Sequence, residues 1–310
     1  MYYPYFRGKQ FELITIREAA PLMAASGFVP IIEPVREAMN GLNRALEAIC
    51  EAEGSAILIV NPDNGDHAGN GANISTMLAD RFFGRAIKAG ILLNNEMTVD
   101  AAMSQFDQHG AHHPVFVHAG FTEAKALAKK LGDSLDTTEH VFVEESCGKL
   151  YRRHFSGTNR VLLRDGFSKR RNADHPISEA FSDLHLTFEE EGMNGFGDFL
   201  IVGDEYSEGG GPAYAVAIHL TYIDPGREDM MFIYHFLSIS NDTPTDPAGK
   251  FQQALGKLIA KLDSGNSMLF EGDAIRELRE LHAKQHFPGL GYVKKLSMKH
   301  HIETLANYLN

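Results

Sequence analysis

Cysteine is nearly absent from this chain: 310 residues hold two, Cys50 and Cys147, far apart and outside any CxxC spacing. Neither a disulfide framework nor a cysteine-based zinc site follows from them. No apolar run approaches the roughly 20 residues that span a bilayer. The opening Met1-Tyr-Tyr-Pro-Tyr-Phe-Arg-Gly-Lys has neither the apolar core nor the cleavage pattern of a signal peptide. A cytoplasmic, bacterial-type protein with no membrane partner is the expectation. Positive charge is scarce, with 29 Lys and Arg against 41 Asp and Glu, a net charge of −12. That balance argues against bulk nucleic-acid coating, which needs a basic surface. The GxSxG elbow, the HExxH helix, GxGxxG, a Walker loop and the kinase motif set are all missing. Without an internal repeat or a low-complexity linker, residues 1–310 read as one domain.

What is present is a rhythm of short apolar runs, each ending in a polar residue. Val29–Ile32 ends in Glu33, Ala56–Val60 in Asn61, Ile91–Leu93 in Asn94, Asn95 and Glu96, and Val115–Val117 in His118. Val141–Val143 leads to Glu144 and Glu145, Val161–Leu163 to Arg164 and Asp165, and Phe199–Val202 to Gly203 and Asp204. Continuous apolar runs are the mark of parallel strands buried on both faces. The spacing predicts strands at 29–33, 56–61, 91–95, 114–118, 140–144, 160–165 and 199–204. Helical spacing falls between most of them, at 10–25, 42–52, 73–88, 100–109, 123–131 and 147–155, with Leu42, Leu46 and Ile49 on one stripe. The fold class expected is α/β, a (β/α)8-type TIM-like barrel; an open doubly wound sheet is the alternative.

After residue 165 the rhythm changes. A long polar connection over 166–198 holds a short predicted helix at Ile177–Leu186. Tyr214–Tyr222 and Met230–Ile239 flank Asp224-Pro-Gly-Arg-Glu-Asp and read as a hairpin. Helices at 248–263, 273–285 and 298–309 close the chain, so the barrel has an irregular last quarter followed by C-terminal helices.

Strand C-termini of an α/β barrel meet on one face, where function sits. The polar residues placed there are Glu33, Asn61, Glu96, His118, Glu145, Arg164, Asp165, Asp204 and His219. Carboxylates and histidine are the ligands of divalent metals and also serve as general acids and bases. Strand parity flips with a one-residue register error, so the pattern alone does not orient them. A second feature is a basic island, Lys149, Arg152, Arg153, Arg160, Arg164, Lys169, Arg170 and Arg171, with Asp165 its only acid. Arginine forks suit phosphate and carboxylate groups, which points to an anionic ligand; a solvated face is the plainer reading. Gly209-Gly-Gly-Pro could approach a phosphate but reads better as a tight turn.

Tyr2-Tyr-Pro-Tyr-Phe-Arg-Gly-Lys-Gln-Phe-Glu-Leu resembles the opening of an uncharacterised bacterial family, itself similar to the phage "beta protein" family. The likeness continues at Val29-Pro-Ile-Ile-Glu-Pro, at Asp165-Gly-Phe with Arg171-Asn-Ala-Asp, at Gly211-Pro-Ala-Tyr-Ala-Val-Ala-Ile-His-Leu-Thr-Tyr, and at Asp246-Pro-Ala-Gly-Lys-Phe. The resemblance implies a bacterial or mobile-element setting, anti-phage defence, and a protein partner from a defence operon. It carries no established reaction. It draws attention to Arg7, Lys9, Gln10, Glu12, Asp165, Arg171, Asn172, Asp174 and His219. By position Arg7–Glu12 precedes the first predicted strand, so it is expected to close the bottom of the barrel, with Lys9 and Glu12 as an ion pair.

These readings converge on a phosphate-handling barrel enzyme, a metal-assisted hydrolase or phosphodiesterase acting on a nucleotide-like anion. Glu33, Glu145, Asp165 and His219 are its candidate catalytic groups, and Glu33, Glu145 and Asp204 its candidate divalent-metal ligands. Arg164, Arg171, Asn172, Asp174 and Lys9 are candidates for holding the anion. The alternative is a non-catalytic component of a defence module that senses a ligand or partner.

Overall fold

The structure, a computed structural model, describes residues 1–209 and 211–310. The chain divides into two compact units: Met1–Arg164 with Leu184–Phe199, and Asp165–Asp183 with Leu200–Asn310.

The first unit is a closed barrel of eight parallel strands. In chain order it runs β1 (Tyr2–Phe6), α1 (Gln10–Ala25), β2 (Ile31–Ile32), α2 (Asn40–Glu51), β3 (Ala56–Ile59) and α3 (Ala72–Arg81). It continues with β4 (Ile87–Leu93), α4 (Val99–Gln108), β5 (Val115–His118), α5 (Ala124–Leu131), β6 (Glu139–Val143), α6 (Lys149–Arg152) and β7 (Asn159–Leu163). The chain then leaves for β8 (Ser178–Ser182) of the second unit. It returns through α7 (Leu184–Thr187) to β9 (Gly195–Asp198), which pairs with both β7 and β1 and closes the ring. The expected α/β barrel is therefore present, and ring closure excludes the open doubly wound sheet.

Alternate residues of each strand fill the interior: Tyr3, Tyr5, Ile31, Ile57, Ile59, Val115, Val117, Val141, Val143, Val161 and Leu163 form one packed cluster, joined by Leu92 and Phe199. Two tyrosines are bulky for a barrel lumen, and glycines opposite make the room. A Cβ on Gly195 would stand 2.8 Å from Tyr3 Cε2, and one on Gly197 would stand 2.5 Å from Leu163 Cδ2. The lumen is thus filled by side chains, which leaves the strand ends as the place for polar chemistry.

Three sequence expectations are corrected here. Tyr2–Phe6 is itself a barrel strand, so Arg7 lies at a strand C-terminus on the upper face and not at the bottom. The last barrel strand is Gly195–Asp198 and not 199–204, because only glycine fits beside Tyr3; Asp204 accordingly ends no strand. Residues 177–186 do not make one helix: Ser178–Ser182 is extended because it pairs antiparallel with a strand some fifty residues on, and only Leu184–Thr187 is helical.

The second unit holds a three-stranded antiparallel sheet in the order β10 (Ala217–Asp224), β11 (Met230–Leu237), β8. Its hairpin is the expected one. Ile218, Leu220, Tyr222, Phe232, Tyr234 and Phe236 pack one face of the sheet against α8 (Pro247–Asp263), α9 (Asp273–Ala283) and α10 (Leu290–Leu309). The Asp246-Pro-Ala-Gly-Lys-Phe motif is the start of α8. Asp246 caps the Gly249 amide at 2.9 Å, Pro247 takes the first helical turn, and Lys250 is buried against the carbonyls of Ala213 and Thr243. Gly210, the middle of the Gly209–Gly211 run, lies outside the described residues.

Candidate metal centre

His219 on β10 and His235 on β11 are directly opposed in the hairpin register, so their side chains share one face of the sheet. Their Nδ1 atoms lie 2.7 Å apart. His175 reaches the same face from the 165–177 loop, its ring stacked on His235 at 4.3 Å between centroids and set edge-on to His219 at 4.9 Å. Among the described residues, these three form the one group of three His, Cys, Asp or Glu side chains whose ligand atoms all lie within 4.8 Å of one another. Phe167 packs against His175 and His219, at 5.6 and 5.1 Å.

A carboxylate stands behind the histidines. Glu179 Oε1, on β8, lies at hydrogen-bond distance from His235 Nε2, 3.0 Å, and 3.7 Å from His175 Nδ1, while its Oε2 accepts from Arg170 Nη2 at 2.9 Å. His175 and His235 are buried, and the His175 Nδ1 atom has no hydrogen-bond partner. Burial pulls all three imidazoles below the ordinary histidine range. His235 falls to about 4, with His175 adding to burial and Glu179 opposing it. His219 is lowered by burial, then by His235, His175 and Lys294; His175 is lowered by burial and by Arg170, against Glu179. All three are therefore neutral at pH 7, the state in which imidazole binds metal.

The 165–177 loop that delivers His175 is held by the residues singled out in the sequence. Asp165 accepts from the amides of Phe167 at 2.9 Å and Asp204 at 2.8 Å, tying the loop start to the 203–204 turn. Asn172 donates to the Ala215 carbonyl at 2.9 Å, beside the entry to β10. Arg171 forks onto Asp174 at 2.7 and 3.2 Å at the surface. Asp165, Asn172, Asp174, Arg171 and Asp204 are thus brought together with His219 in one unit, as scaffold around the histidines.

In the first unit the upper face carries a different network. Glu33, fully buried, accepts from Tyr5 Oη at 2.9 Å and Arg7 Nη1 at 2.7 Å on one oxygen, and from the Asp63 amide at 3.2 Å and Asn64 Nδ2 at 3.0 Å on the other. Asp63 in turn accepts from Asn94 at 2.7 Å. Partial desolvation pushes the Asp63 carboxyl up, the Asn94 hydrogen bond opposes this, and Glu33 and Glu96 add to it. Asn61 spans to β4, pairing with both the amide and the carbonyl of Leu92 at 2.8 Å. Arg164 forks onto Glu144 at 2.5 and 3.1 Å. Glu145 is exposed in the turn after β6, and Lys9 is the N-cap residue of α1. The Glu12 carboxylate accepts from the Arg7 amide at 2.5 Å. His118 points out of the barrel wall, bonded to Tyr151 and His140.

Glu33, Glu145 and Asp204 do not form a three-ligand group among the described residues; the histidines do. Most cations of the basic island already have partners: Lys149 and Arg152 on Glu191, Lys169 on Glu205, Arg170 on Glu179 and Arg171 on Asp174. Sequence reasoning missed His175, His235 and Glu179. His235 was accessible in principle, because His219 precedes the hairpin turn by as many residues as His235 follows it. Glu179 comes from a strand with no local signal.

No family model and no curated protein matches this chain. Among solved structures, it is similar to the "enoyl reductase domain of MlnA from the macrolactin biosynthesis cluster from Bacillus amyloliquefaciens", with 10% identity over 99% of this chain and 80% of that chain, at a TM-score of 0.40. Nothing about substrate or cofactor passes to this chain from a likeness at that level.

Proposed function

We propose that this chain is a metal-dependent enzyme of the hydrolytic class, with a zinc-type divalent ion held by His175, His219 and His235. The observation that carries the reading is the convergence of three neutral imidazoles within 4.8 Å, with a carboxylate behind one of them. Three nitrogen donors suit zinc and its transition-metal neighbours; magnesium and calcium prefer oxygen. Zinc sites with four protein ligands are structural, whereas three ligands leave a position for water, whose pKa falls to about 7 on the metal. Zn–N bonds of about 2.0–2.1 Å in a tetrahedron place nitrogens about 3.3 Å apart, so the 2.7 Å His219–His235 pair must open by about 0.6 Å.

An anionic ester is the substrate class that fits. The loop bearing His175 also carries Lys169, Arg170 and Arg171, and the Arg171 side chain is 86% exposed. The Arg171–Asp174 pair is exposed and screened by solvent, so a phosphate can displace the aspartate. An ion held by His175, His219 and His235 would supply an activated water for ester hydrolysis, in which a water oxygen would bond to phosphorus as the ester P–O bond broke, with the water's proton going to solvent and the leaving alkoxide taking a proton.

The test is metal content and turnover together. Protein loaded with Zn2+ and freed of excess metal is expected to retain one ion and to cleave a chromogenic phosphomono- or diester, with both lost in His235→Ala. Absence of metal uptake overturns the reading. One retained ion without cleavage across the ester panel would move it to a metal-bearing sensor.

A further inference from the structure

Building on the metal reading above, we infer that Glu179 is the positioning residue of the histidine centre: it fixes His235 as the Nε2–H tautomer, so that the His235 Nδ1 lone pair faces His219. The argument is one of proton counting. Glu179 Oε2 is taken by the Arg170 guanidinium at 2.9 Å, which orients the carboxylate. An ionised carboxylate only accepts, so the 3.0 Å contact between Glu179 Oε1 and His235 Nε2 requires the proton on His235 Nε2. A neutral imidazole carries one N–H, which leaves His235 Nδ1 with a lone pair. The proton in the 2.7 Å Nδ1–Nδ1 contact must then belong to His219.

Two histidines paired across one hairpin thus hold opposite tautomers. His235 has its metal-binding lone pair ready, and His219 covers it with an N–H. Loading the centre through His235 Nδ1 means breaking that one hydrogen bond. His219, the partly exposed member of the three, is then the one that shifts and moves its proton from Nδ1 to Nε2, so that it becomes a ligand beside His235. A carboxylate behind a metal-binding histidine is conventionally worth 10–100-fold in affinity.

The experiment is long-range 1H–15N imidazole NMR on the 15N-labelled full chain stripped of metal, with signals assigned through His219→Gln and His235→Gln. The expected spectrum shows His235 protonated at Nε2 and His219 at Nδ1. On adding Zn2+, the shared-proton signal should vanish while His235 keeps its tautomer. Glu179→Gln, which can donate as well as accept, should mix the His235 tautomers and weaken Zn2+ binding about 10–100-fold. Should that variant fail to fold, Arg170→Gln removes the carboxylate's other partner and is expected to shift both readouts the same way, by less. An Nδ1–H tautomer at His235 in the unaltered chain, or no change in either readout in a folded Glu179→Gln, overturns the assignment. The tautomers are read without metal. Wild-type protein that shows them but takes up no Zn2+ therefore upholds Glu179's role while removing the metal reading.

Discussion

His219 Nδ1 and His235 Nδ1 face each other at 2.7 Å across a pair of antiparallel strands, and His175 closes over them from a loop. Two imidazoles that close together cannot both be charged, and desolvation lowers the pKa of each, which leaves the pair neutral at pH 7. Its metal affinity is the first consequence to measure.

Co2+ substitution reports coordination directly. Metal-free protein titrated with Co2+ is expected to develop the visible absorption of a four-coordinate nitrogen site at one equivalent. A single His175→Ala, His219→Ala or His235→Ala change should abolish it. Binding to the folded state alone adds about 4 kcal/mol of stability at a thousand times Kd, so the apparent Tm should rise and fall back on adding chelator. A spectrum of six-coordinate Co2+, unchanged in the variants, would place the metal elsewhere.

Acid should weaken the metal-free protein through the same histidines. His235 titrates at about 4 in the fold, against an ordinary value of about 6.5. Between those values the unfolded chain binds a proton that the folded chain refuses, so stability rises with pH. The contribution is complete above about pH 6.5 and is lost as pH falls towards 4. His140 and His300, each lowered by burial to about 3, shift in the same direction and steepen the overall slope. The difference between wild type and His235→Asn in urea midpoints at pH 7.5, 6 and 4.5 isolates the His235 share. A difference independent of pH would contradict it.

Glu33 and Arg7 make a separate case in the barrel. Glu33→Ala removes a fully buried carboxylate that takes four hydrogen bonds, one of them from a guanidinium only 12% exposed. Breaking a buried ion pair from one side costs about 3–5 kcal/mol. Urea unfolding should show the midpoint fall with the slope unchanged. Paired replacement, Arg7→Met with Glu33→Leu, is expected to recover a good part of the loss. A drop below about 1 kcal/mol in Glu33→Ala would mean the network adds little.

Gly197→Ala tests the filled lumen. Its new Cβ meets the Tyr3 carbonyl oxygen and Leu163 Cδ2, and the carbonyl belongs to a paired strand that cannot step aside. Overpacking of this kind costs about 1–3 kcal/mol or more. Thermal unfolding followed by circular dichroism should show the loss, whereas Gly148→Ala, whose Cβ would meet nothing within 4 Å, should be nearly neutral.

Much of the barrel was legible because a parallel strand covered on both faces must be apolar along its whole length. Ala56–Ile59, Val115–His118 and Val141–Val143 could be little else. Tyr2–Phe6 escaped notice because Pro4 argues against a central strand, and because its hydrogen-bonding neighbours, β2 and β9, are distant in sequence. Gly195–Asp198 is less apolar than the run beginning at Phe199, and the requirement for glycine there comes from Tyr3 on the neighbouring strand β1. Ser178–Ser182 has little intrinsic strand character and is extended because β11 pairs with it.

By itself the sequence determined the alternation of buried strand and amphipathic helix, the hairpin around Asp224–Asp229 and the start of α8. These are local properties: apolar periodicity, turn chemistry and side-chain caps act within a few residues. Only the tertiary structure decided which polar residues meet. It spent Glu33 on Arg7 and Tyr5, used Asp165 to tie down a loop, and set His175, Glu179, His219 and His235 around one point from three separate stretches of chain. Convergence of that kind depends on strand register and loop path, which are set by packing between residues far apart in sequence, and so no local pattern records it.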